Sequence, residues 1–419
     1  MSDFADYRPH LPGPEQSRIA GHDAHSHAVG RLALPRAAKL FAEWAEVAKA
    51  PFSGITTDGK VRQGLFHLAD EGAPAESMAR AGWALLDALD PIERRRCQLA
   101  LGNSQQKAWQ NTEIWAEHDG NGLRLDQATD TNRDLVLNIV RYSLSDRGYA
   151  NTIGAMQLNG FLGDLLDAKG VLSEWSYNFC IYGVPSTTEP WGWQLWGHHL
   201  CINCMNIGGQ MVLTPSFVGA EICYADQGRF NGLRLFQDEE RRGLQLMNSL
   251  SCAQQAKARL GWSLAGDDLP EGRVHFADYL MLGGAYQDNR IVPFEGIAAT
   301  QFDRSARTAL FDLVEAYIGQ MPEGPRQAKM AQFEDHLPNT NFCWIGGNGP
   351  SDPFYYRVQS PVVFIEFDHH PGLFLTNNEA LKFHVHTVVR TPNGNDYGVD
   401  LLRQHYRDRH LKRDSHSTP

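Results

Sequence analysis

Helical patterns and strand patterns occur in separate blocks of this sequence. This feature does more than any other to limit the folds that the chain can adopt. Apolar residues recur at three- and four-residue spacing, typical of amphipathic helices, over about residues 35–171. Alternating patterns typical of antiparallel strands dominate residues 175–223 and 340–390, with helical patterns between these two stretches. Because strands and helices do not alternate one by one, a parallel βαβ sheet is disfavoured. The sequence predicts an α+β fold: a largely antiparallel sheet covered by helices, with a helical N-terminal layer.

The domain organisation follows from the same patterns. Residues 1–30 are rich in Pro, Gly and His and have no clean period, so we expect a flexible N-terminal arm. For residues 31–410 we predict a single large α+β domain, in which both β-rich stretches belong to one sheet. The arm contains three histidines that could bind a metal, although such tails are more often incidental: His22, His25 and His27.

Composition limits the partners and the compartment. The net charge is -11, and no stripe of Lys and Arg is present, which argues against a nucleic-acid partner. No uninterrupted apolar stretch of about 18 residues occurs, so we expect no membrane partner and a cytoplasmic protein. The seven cysteines are odd in number and scattered, which favours reduced thiols over a disulfide framework. The oligomeric state stays open.

The segment "LKFHVHTVVR" carries the strongest chemical signal. His384 and His386 are two residues apart in a predicted strand, so both side chains point to the same face. The opposite face is largely apolar. A His-x-His pair in a strand can direct two imidazole nitrogens at one metal ion, although a polar face in contact with solvent gives the same pattern. We predict a metal site here.

Two further residues are candidates for completing that site. In "PWGWQLWGHHLCIN", interpreted as one strand, His198 and His199 would point to opposite faces. His199 would share a face with Cys201 and Asn203, and is the better metal ligand. Glu366, in the apolar strand "VVFIEFDHH", is the second candidate, because a buried carboxylate needs a cation or hydrogen bonds.

Three residues are candidates for catalytic roles. His198 could act from outside the metal-binding shell, or could be hydrogen-bonded in the core. Glu221 follows "SFVGA" at a predicted strand end, where a general acid or base could lie, and a surface carboxylate is the alternative. Arg357 could bind a substrate carboxylate or pair with Glu366.

Substrate binding is predicted for aromatic and polar residues near the histidines. Tryptophans can form a wall around an organic substrate, although they are more often core residues. Tyr397, in the turn "TPNGNDYG" with Asp396, lies close to the His-x-His strand in sequence, and is otherwise structural. The predicted substrate-binding residues are Trp191, Trp193, Trp196, Asn203 and Tyr397.

Seven segments of the chain resemble one known family, in the family's order from about residue 35 onward. They are "GITTDGKVRQGLF" (54–66), "WQNTE" (109–113), "PWGWQLWGHHLCIN" (190–203), "TPSFVGAE" (214–221), "VPFEGI" (292–297), "YYRVQSPVVFIEFD" (355–368) and "HVHTVVRTPNGNDYG" (384–398). The family is known as domain of unknown function 3500. The resemblance implies one family domain, not two.

The same resemblance implies that the histidines of two motifs act together. The family's Gly-His-His-Leu and His-x-His elements match His198, His199, His384 and His386. Cys201 stands where the family usually has Ser, which puts in doubt any role for a hydroxyl there.

These candidates predict a metal-dependent enzyme acting on a small-molecule substrate. One divalent transition metal (zinc, iron or copper) would be held by His199, His384, His386 and Glu366, with hydrolysis by a metal-bound water favoured slightly. Two histidines and a carboxylate also suit a non-haem metal oxidoreductase or oxygenase. A non-catalytic ligand-binding protein and a structural metal site closed by four protein ligands are the alternatives.

Overall fold

The computed structural model describes residues 5–114 and 122–415. Within them, thirteen strands form one sheet. The strands are β1 Gln98–Leu99, β2 Leu123–Arg124, β3 Tyr177–Gly183, β4 Trp191–Gly197, β5 Leu200–Ile207, β6 Gln210–Val212, β7 Ser216–Ala220, β8 Arg259–Gly261, β9 Ile297–Ala298, β10 Asn341–Gly346, β11 Phe354–Gln359, β12 Phe364–His370 and β13 Leu381–Arg390.

Eleven α-helices occur in the same described residues. They are α1 Ala24–Leu32, α2 Pro35–Val47, α3 Ala75–Ala88, α4 Pro91–Cys97, α5 Asp130–Ser143, α6 Asp146–Leu165, α7 Gln237–Ser249, α8 Cys252–Ala258, α9 Arg304–Ile318, α10 Glu323–Asp335 and α11 Val399–Ser415. Asp90 caps α4 by accepting from two backbone N–H groups, and Pro91 occupies its first turn, as "DPIERRRC" predicts. Among the described residues, no helix has both the length and the apolar character needed to cross a membrane.

The sheet joins the two β-rich stretches of the sequence. Its main strand order is β1-β3-β4-β5-β7-β13-β12-β11-β10-β8, with β2, β6 and β9 paired to β3, β5 and β10. The β1–β3 and β8–β10 pairs are parallel, and the other pairs are antiparallel. The central β7–β13 pair connects residues of the first stretch to the second. The predicted α+β class, the largely antiparallel sheet and the helical N-terminal layer are confirmed.

The two faces of the sheet are covered differently. The face that carries Phe383 and Val385 of β13 packs on helices α3, α5, α6, α7 and α9, and is called the helix face below. The opposite face carries His384, His386 and Val388, and is called the histidine face. It is covered by α2, Trp109 and the loop between β8 and β9. Both faces are buried, so the strands are apolar on both sides and a site on either face is shielded from bulk water.

The predicted N-terminal arm packs against the rest of the chain over its described part. Tyr7 is fully buried and donates a hydrogen bond to Asp226. His27, on α1, is also fully buried, and its Nε2 lies 3.3 Å from Glu113. These contacts are long-range, so they leave no local pattern in the sequence.

Candidate metal centre

The His-x-His strand lies in the middle of the sheet. β13 pairs with β12 on one side and with β7 on the other. Because side chains alternate along a strand, His384 and His386 both point to the histidine face, as predicted. Their rings are 4.8 Å apart between centroids. This part of the site follows from β-strand geometry alone.

His198 and His199 lie in a tight turn and not in a strand. Gly197 of β4 pairs with Leu200 of β5, which leaves the two histidines as a two-residue hairpin loop. His199 has a φ of 58°, in the left-handed region that such turns require. The strand interpretation, with the two rings on opposite faces, is therefore wrong: the His198 and His199 rings lie only 3.9 Å apart.

The turn brings His199 to the His-x-His pair, although about half the chain separates them in sequence. The Nε2 atom of His384 lies 3.1 Å from that of His199 and 3.1 Å from that of His386. With metal–nitrogen bonds of about 2.1 Å, this separation gives a nitrogen–metal–nitrogen angle of roughly 95°. That value falls between the octahedral and tetrahedral angles of about 90° and 109°. These two distances match the spacing of ligands on one ion, and all three ligand atoms lie within 4.8 Å of one another.

Burial keeps the three imidazoles in the form that binds metal. His199, His384 and His386 are 5%, 1% and 4% exposed. Loss of solvation is the largest cause that lowers the pKa of each ring well below its usual value, and the neighbouring histidines lower it further. At neutral pH all three are uncharged, with nitrogen lone pairs available for a cation.

Gly219 gives two of the rings their space. It lies opposite His386 on β7, and its N–H donates to the His199 carbonyl at 2.7 Å. A Cβ atom at this position would lie 2.9 Å from Cδ2 of His386 and 3.3 Å from Cδ2 of His199. The absence of a side chain here therefore allows the two rings to approach.

Glu366 lies on the predicted strand and face, but its carboxylate is used elsewhere. The carboxylate accepts from the backbone N–H groups of Leu282 and Gly283 at 2.8–3.0 Å, and from the Tyr355 hydroxyl at 2.6 Å. It belongs to neither of the two groups of potential metal ligands found among the described residues. The structure therefore assigns Glu366 to holding the β8–β9 loop on the histidine face and not to the histidine cluster.

Asp368 and His370 lie next to the cluster instead, and the sequence interpretation missed both. Asp368 pairs with His386 across the β12–β13 ladder. The ligand atoms of Asp368, His370 and His386 all lie within 4.8 Å of one another. The "FDHH" motif contains the signal, because Asp368 and His370 have the spacing that places both on one strand face. Only the register between β12 and β13, which the structure shows, places Asp368 opposite His386.

Asp368 is a buried carboxylate without a hydrogen bond. It is 0% exposed, and neither oxygen has a hydrogen-bond partner within the described residues. Burial raises its pKa. Nδ1 of His370 and Nδ1 of His386 lie 3.5 and 3.8 Å from its oxygens, which is long for hydrogen bonds. Such an arrangement is costly for a carboxylate unless a cation compensates it.

His198 is held outside the ligand group. Its Nδ1 lies 2.8 Å from Oδ1 of Asn159, and its ring packs on Phe374. Burial lowers the pKa of this imidazole to about 4, so it is neutral at physiological pH. The structure places it directly behind His199, where it supports the turn.

Glu221 and Arg357 both have protein partners. Oε1 of Glu221 accepts from three consecutive backbone N–H groups, in residues 373–375, at 2.6–2.8 Å. Burial outweighs these bonds and raises the pKa of Glu221 to about 7. Arg357 forms an ion pair with Glu295 at 2.7 Å and donates to Tyr355. Glu221 is thus buried at the strand end, and Arg357 has a structural pair with Glu295 in place of the considered pair with Glu366.

The three tryptophans do not form one wall. Trp191 and Trp193 point to the helix face, and their indole N–H groups donate to Ser186 and Ser143 at 2.9 Å. Trp196 alone points to the histidine face, where it packs beside Cys201 and Phe217. Alternation along β4 separates the three rings in this way.

Asn203 and Tyr397 are part of buried hydrogen-bond networks on the histidine side. Asn203 accepts from Gln194 at 2.7 Å and donates to the Pro215 carbonyl at 3.0 Å. The Tyr397 hydroxyl accepts from Trp109 at 2.9 Å and donates to Asp288 at 3.1 Å. Asp396 pairs with Arg390 in the same region. These polar groups are already used within the protein, so none points freely towards the histidines.

One cavity of the described structure lies away from the histidines. A cavity of about 190 Å³ lies on the helix face, bounded by β6, α10 and the end of β13, and its walls include Met211, Lys329 and Val389. The residues of the histidine cluster are instead buried on the histidine face. None of the residues that line this cavity belongs to either group of potential metal ligands.

The fold and the cluster together define an α+β protein with a candidate metal centre on one face of its sheet. A family model described as "Protein of unknown function (DUF3500)" matches residues 71–399. The chain belongs to this family, as the resemblance indicated. No curated protein and no solved structure matches the chain. The matched range contains every residue of the histidine cluster.

Proposed function

We propose that His199, His384 and His386 hold one divalent transition metal, and that the protein uses it to hydrolyse a small organic substrate. The observation that carries this proposal is that the buried Nε2 atom of His384 lies 3.1 Å from Nε2 of His199 and 3.1 Å from Nε2 of His386. Zinc fits three imidazole ligands and retains an open position in such sites.

The ligand set favours Lewis-acid chemistry. Three neutral imidazoles leave the full charge of the ion uncompensated, and such an ion lowers the pKa of a bound water towards neutrality. Asp368 lies beside His386 and supplies a negative charge close to the ion. His370 is the more accessible member of this cluster, with 12% of its side chain exposed. A small substrate would therefore reach the cluster from the side of His370.

Metal content tests the first half of the proposal. The protein, purified without chelators or a histidine tag, is analysed for metals by plasma mass spectrometry beside His199→Ala and the double variant His384→Ala, His386→Ala. We expect transition metal bound in the wild type and a loss of one ion per chain in His199→Ala. Glu366→Gln is the matched control, because this carboxylate is on the same face but bonded to Leu282, Gly283 and Tyr355. Wild-type protein that binds no transition metal contradicts the proposal.

Turnover tests the second half. Zinc-loaded and chelator-treated protein are assayed against small nitrophenyl esters and lactones as probes. Hydrolysis that requires zinc and disappears in His199→Ala supports the proposal. Bound metal with no zinc-dependent hydrolysis favours instead a structural ion or a non-catalytic binding protein.

The Asp368, His370 and His386 group favours a second candidate function. Two histidines and one carboxylate are the ligands of non-haem iron oxygenases, and these three residues provide that set. The sequence had suggested Glu366 for the carboxylate. An oxygen electrode measures whether protein loaded with Fe²⁺ consumes oxygen in the presence of small organic acids. Consumption that is lost in Asp368→Asn and His370→Ala supports this candidate over hydrolysis.

A further inference from the structure

Two sets of potential metal ligands meet at one imidazole. His386 belongs to the set with His199 and His384, and also to the set with Asp368 and His370. Its two ring nitrogens face different sets: Nε2 lies 3.1 Å from Nε2 of His384, and Nδ1 lies 3.8 Å from Oδ1 of Asp368. A single ion at the three histidines uses only one of these nitrogens.

The second set, Asp368, His370 and His386, has the features of a cation site independently of the first set. The Asp368 carboxylate is completely buried, and both its oxygens lack hydrogen-bond partners among the described residues. An ionised carboxylate in such surroundings is strongly destabilising without a counter-charge. The nearest imidazole nitrogens, Nδ1 of His370 and Nδ1 of His386, lie 3.5 and 3.8 Å from its oxygens, so no hydrogen bond of normal length supplies a counter-charge. A divalent ion would supply it.

The distances in the second set are close to those of a coordinated ion. Ligand atoms bound at about 2.1 Å with angles between about 90° and 109° are separated by about 3.0 to 3.4 Å. Oδ2 of Asp368 lies 3.5 Å from Nδ1 of His370, and Oδ1 lies 3.8 Å from Nδ1 of His386. Each carboxylate oxygen thus lies within a few tenths of an ångström of this range from one imidazole nitrogen, and the ligand atoms of the set all lie within 4.8 Å of one another.

We propose that a second divalent metal ion binds Asp368, His370 and Nδ1 of His386 while the first is bound at His199, His384 and Nε2 of His386. The His386 ring then bridges the two ions as an imidazolate. Its remaining ring proton is released to solvent when the second ion binds. The imidazolate and the Asp368 carboxylate supply two negative charges against the two ions. This inference rests on the proposed first metal site.

Zinc stoichiometry in variants of the full chain tests the second site. Protein stripped with a chelator is loaded with ZnCl₂, freed of unbound zinc by gel filtration, and analysed for zinc per chain. We expect two ions in the wild type and one in each of two groups of variants. Asp368→Asn and His370→Ala lose the second ion and keep the first. His199→Ala loses the first and keeps the second.

The combined variants separate the two hypotheses. The triple variant His199→Ala, Asp368→Asn, His370→Ala should retain no zinc at the cluster. One zinc in the wild type that is lost in His199→Ala supports the first site and overturns the second. No zinc in the wild type overturns both proposals. Circular dichroism identifies any variant that fails to fold, and His370→Ala, the change at a partly exposed position, then decides in place of Asp368→Asn.

Zinc bound at the terminal histidines is distinguished by a further control. His22 precedes α1 and His25 lies on it, and both residues are exposed. A His22→Ala, His25→Ala variant should bind as much zinc as the wild type. Loss of one ion in this variant, together with no loss in Asp368→Asn, assigns the second zinc to the N-terminal segment and contradicts the proposal.

Discussion

At the scale of single residues, the site depends on space as much as on ligands. Gly219 is a glycine in the interior of a central strand, a position where glycine normally weakens a sheet. Here a methyl group would meet the Val385 carbonyl at 2.7 Å and the ring of His386 at 2.9 Å. The two imidazoles can converge because this side chain is missing.

Gly219→Ala should therefore weaken metal binding although it replaces no ligand residue. Because the added Cβ displaces the His386 and His199 rings, we expect zinc affinity to fall about 10-fold or more and stability to fall by about 1–3 kcal/mol. Isothermal titration with zinc measures the first effect. Gly13→Ala is the control, since its Cβ would meet only Oε1 of Gln16, at 3.6 Å. An unchanged zinc affinity in Gly219→Ala would show that the two rings have space for the added methyl group, and would contradict this prediction.

The buried carboxyl of Glu221 should make stability depend on pH. Its pKa is raised from 4.5 to about 7 in the folded protein, mainly by burial. An acid with a raised folded pKa binds more protons when folded, so stability falls as the pH rises from about 4.5 to about 7. The expected loss from this group is roughly 3 kcal/mol.

Comparison with Glu221→Gln isolates this effect, because the amide oxygen still accepts from residues 373–375 but cannot ionise. Urea unfolding at pH 5 and pH 8 measures both proteins. The wild type should lose stability relative to the variant between the two pH values. If the difference in unfolding free energy between the wild type and the variant is the same at both pH values, Glu221 does not titrate in this range.

At the scale of elements, long-range contacts fix segments that local patterns leave undefined. Helix α1 is attached through Glu113, which lies 3.3 Å from Nε2 of His27 and 3.2 Å from Arg31. Burial opposes ionisation of Glu113, but the hydrogen bond with His27 and the neighbouring basic side chains of His198 and Arg31 outweigh it and lower its pKa to about 2. An ionised carboxylate thus holds the helix to the sheet domain.

Glu113→Gln should loosen α1. The variant loses the charge that pairs with Arg31, and we expect a destabilisation of about 1–3 kcal/mol with faster cleavage of the N-terminal segment by trypsin. Cleavage rates followed by mass spectrometry test this. Glu43→Gln, which removes the exposed Glu43–Lys39 pair on α2, should cleave at the wild-type rate. Equal cleavage rates for Glu113→Gln and the wild type would contradict the attachment.

At the scale of the whole molecule, the cluster connects parts of the chain that are distant in sequence. The β4–β5 turn contributes His199, and β13 contributes His384 and His386 from the other β-rich stretch. These strands are joined through β7, so a metal ion bound at the cluster would link the two halves of the sheet. Unfolding would then release that ion.

Metal binding should therefore raise the stability of the whole domain. A ligand that binds only the folded state at 100 times its Kd adds about 2.7 kcal/mol. We expect the Tm to rise when zinc is added to stripped protein and to fall again with a chelator. Differential scanning calorimetry measures both. The His384→Ala, His386→Ala variant should show neither shift, and an equal shift in that variant would place the zinc elsewhere.

The sequence by itself determined the α+β class, the two strand-forming stretches and the common face of His384 and His386. These follow from periodicity, which is a property of the local backbone. Only the tertiary structure decided that Asp368, and not Glu366, accompanies the histidines, and that His198 and His199 lie in a turn. Strand register, turn conformation and the backbone groups that occupy Glu366 and Glu221 arise from contacts between residues far apart in sequence, and no local pattern encodes those contacts.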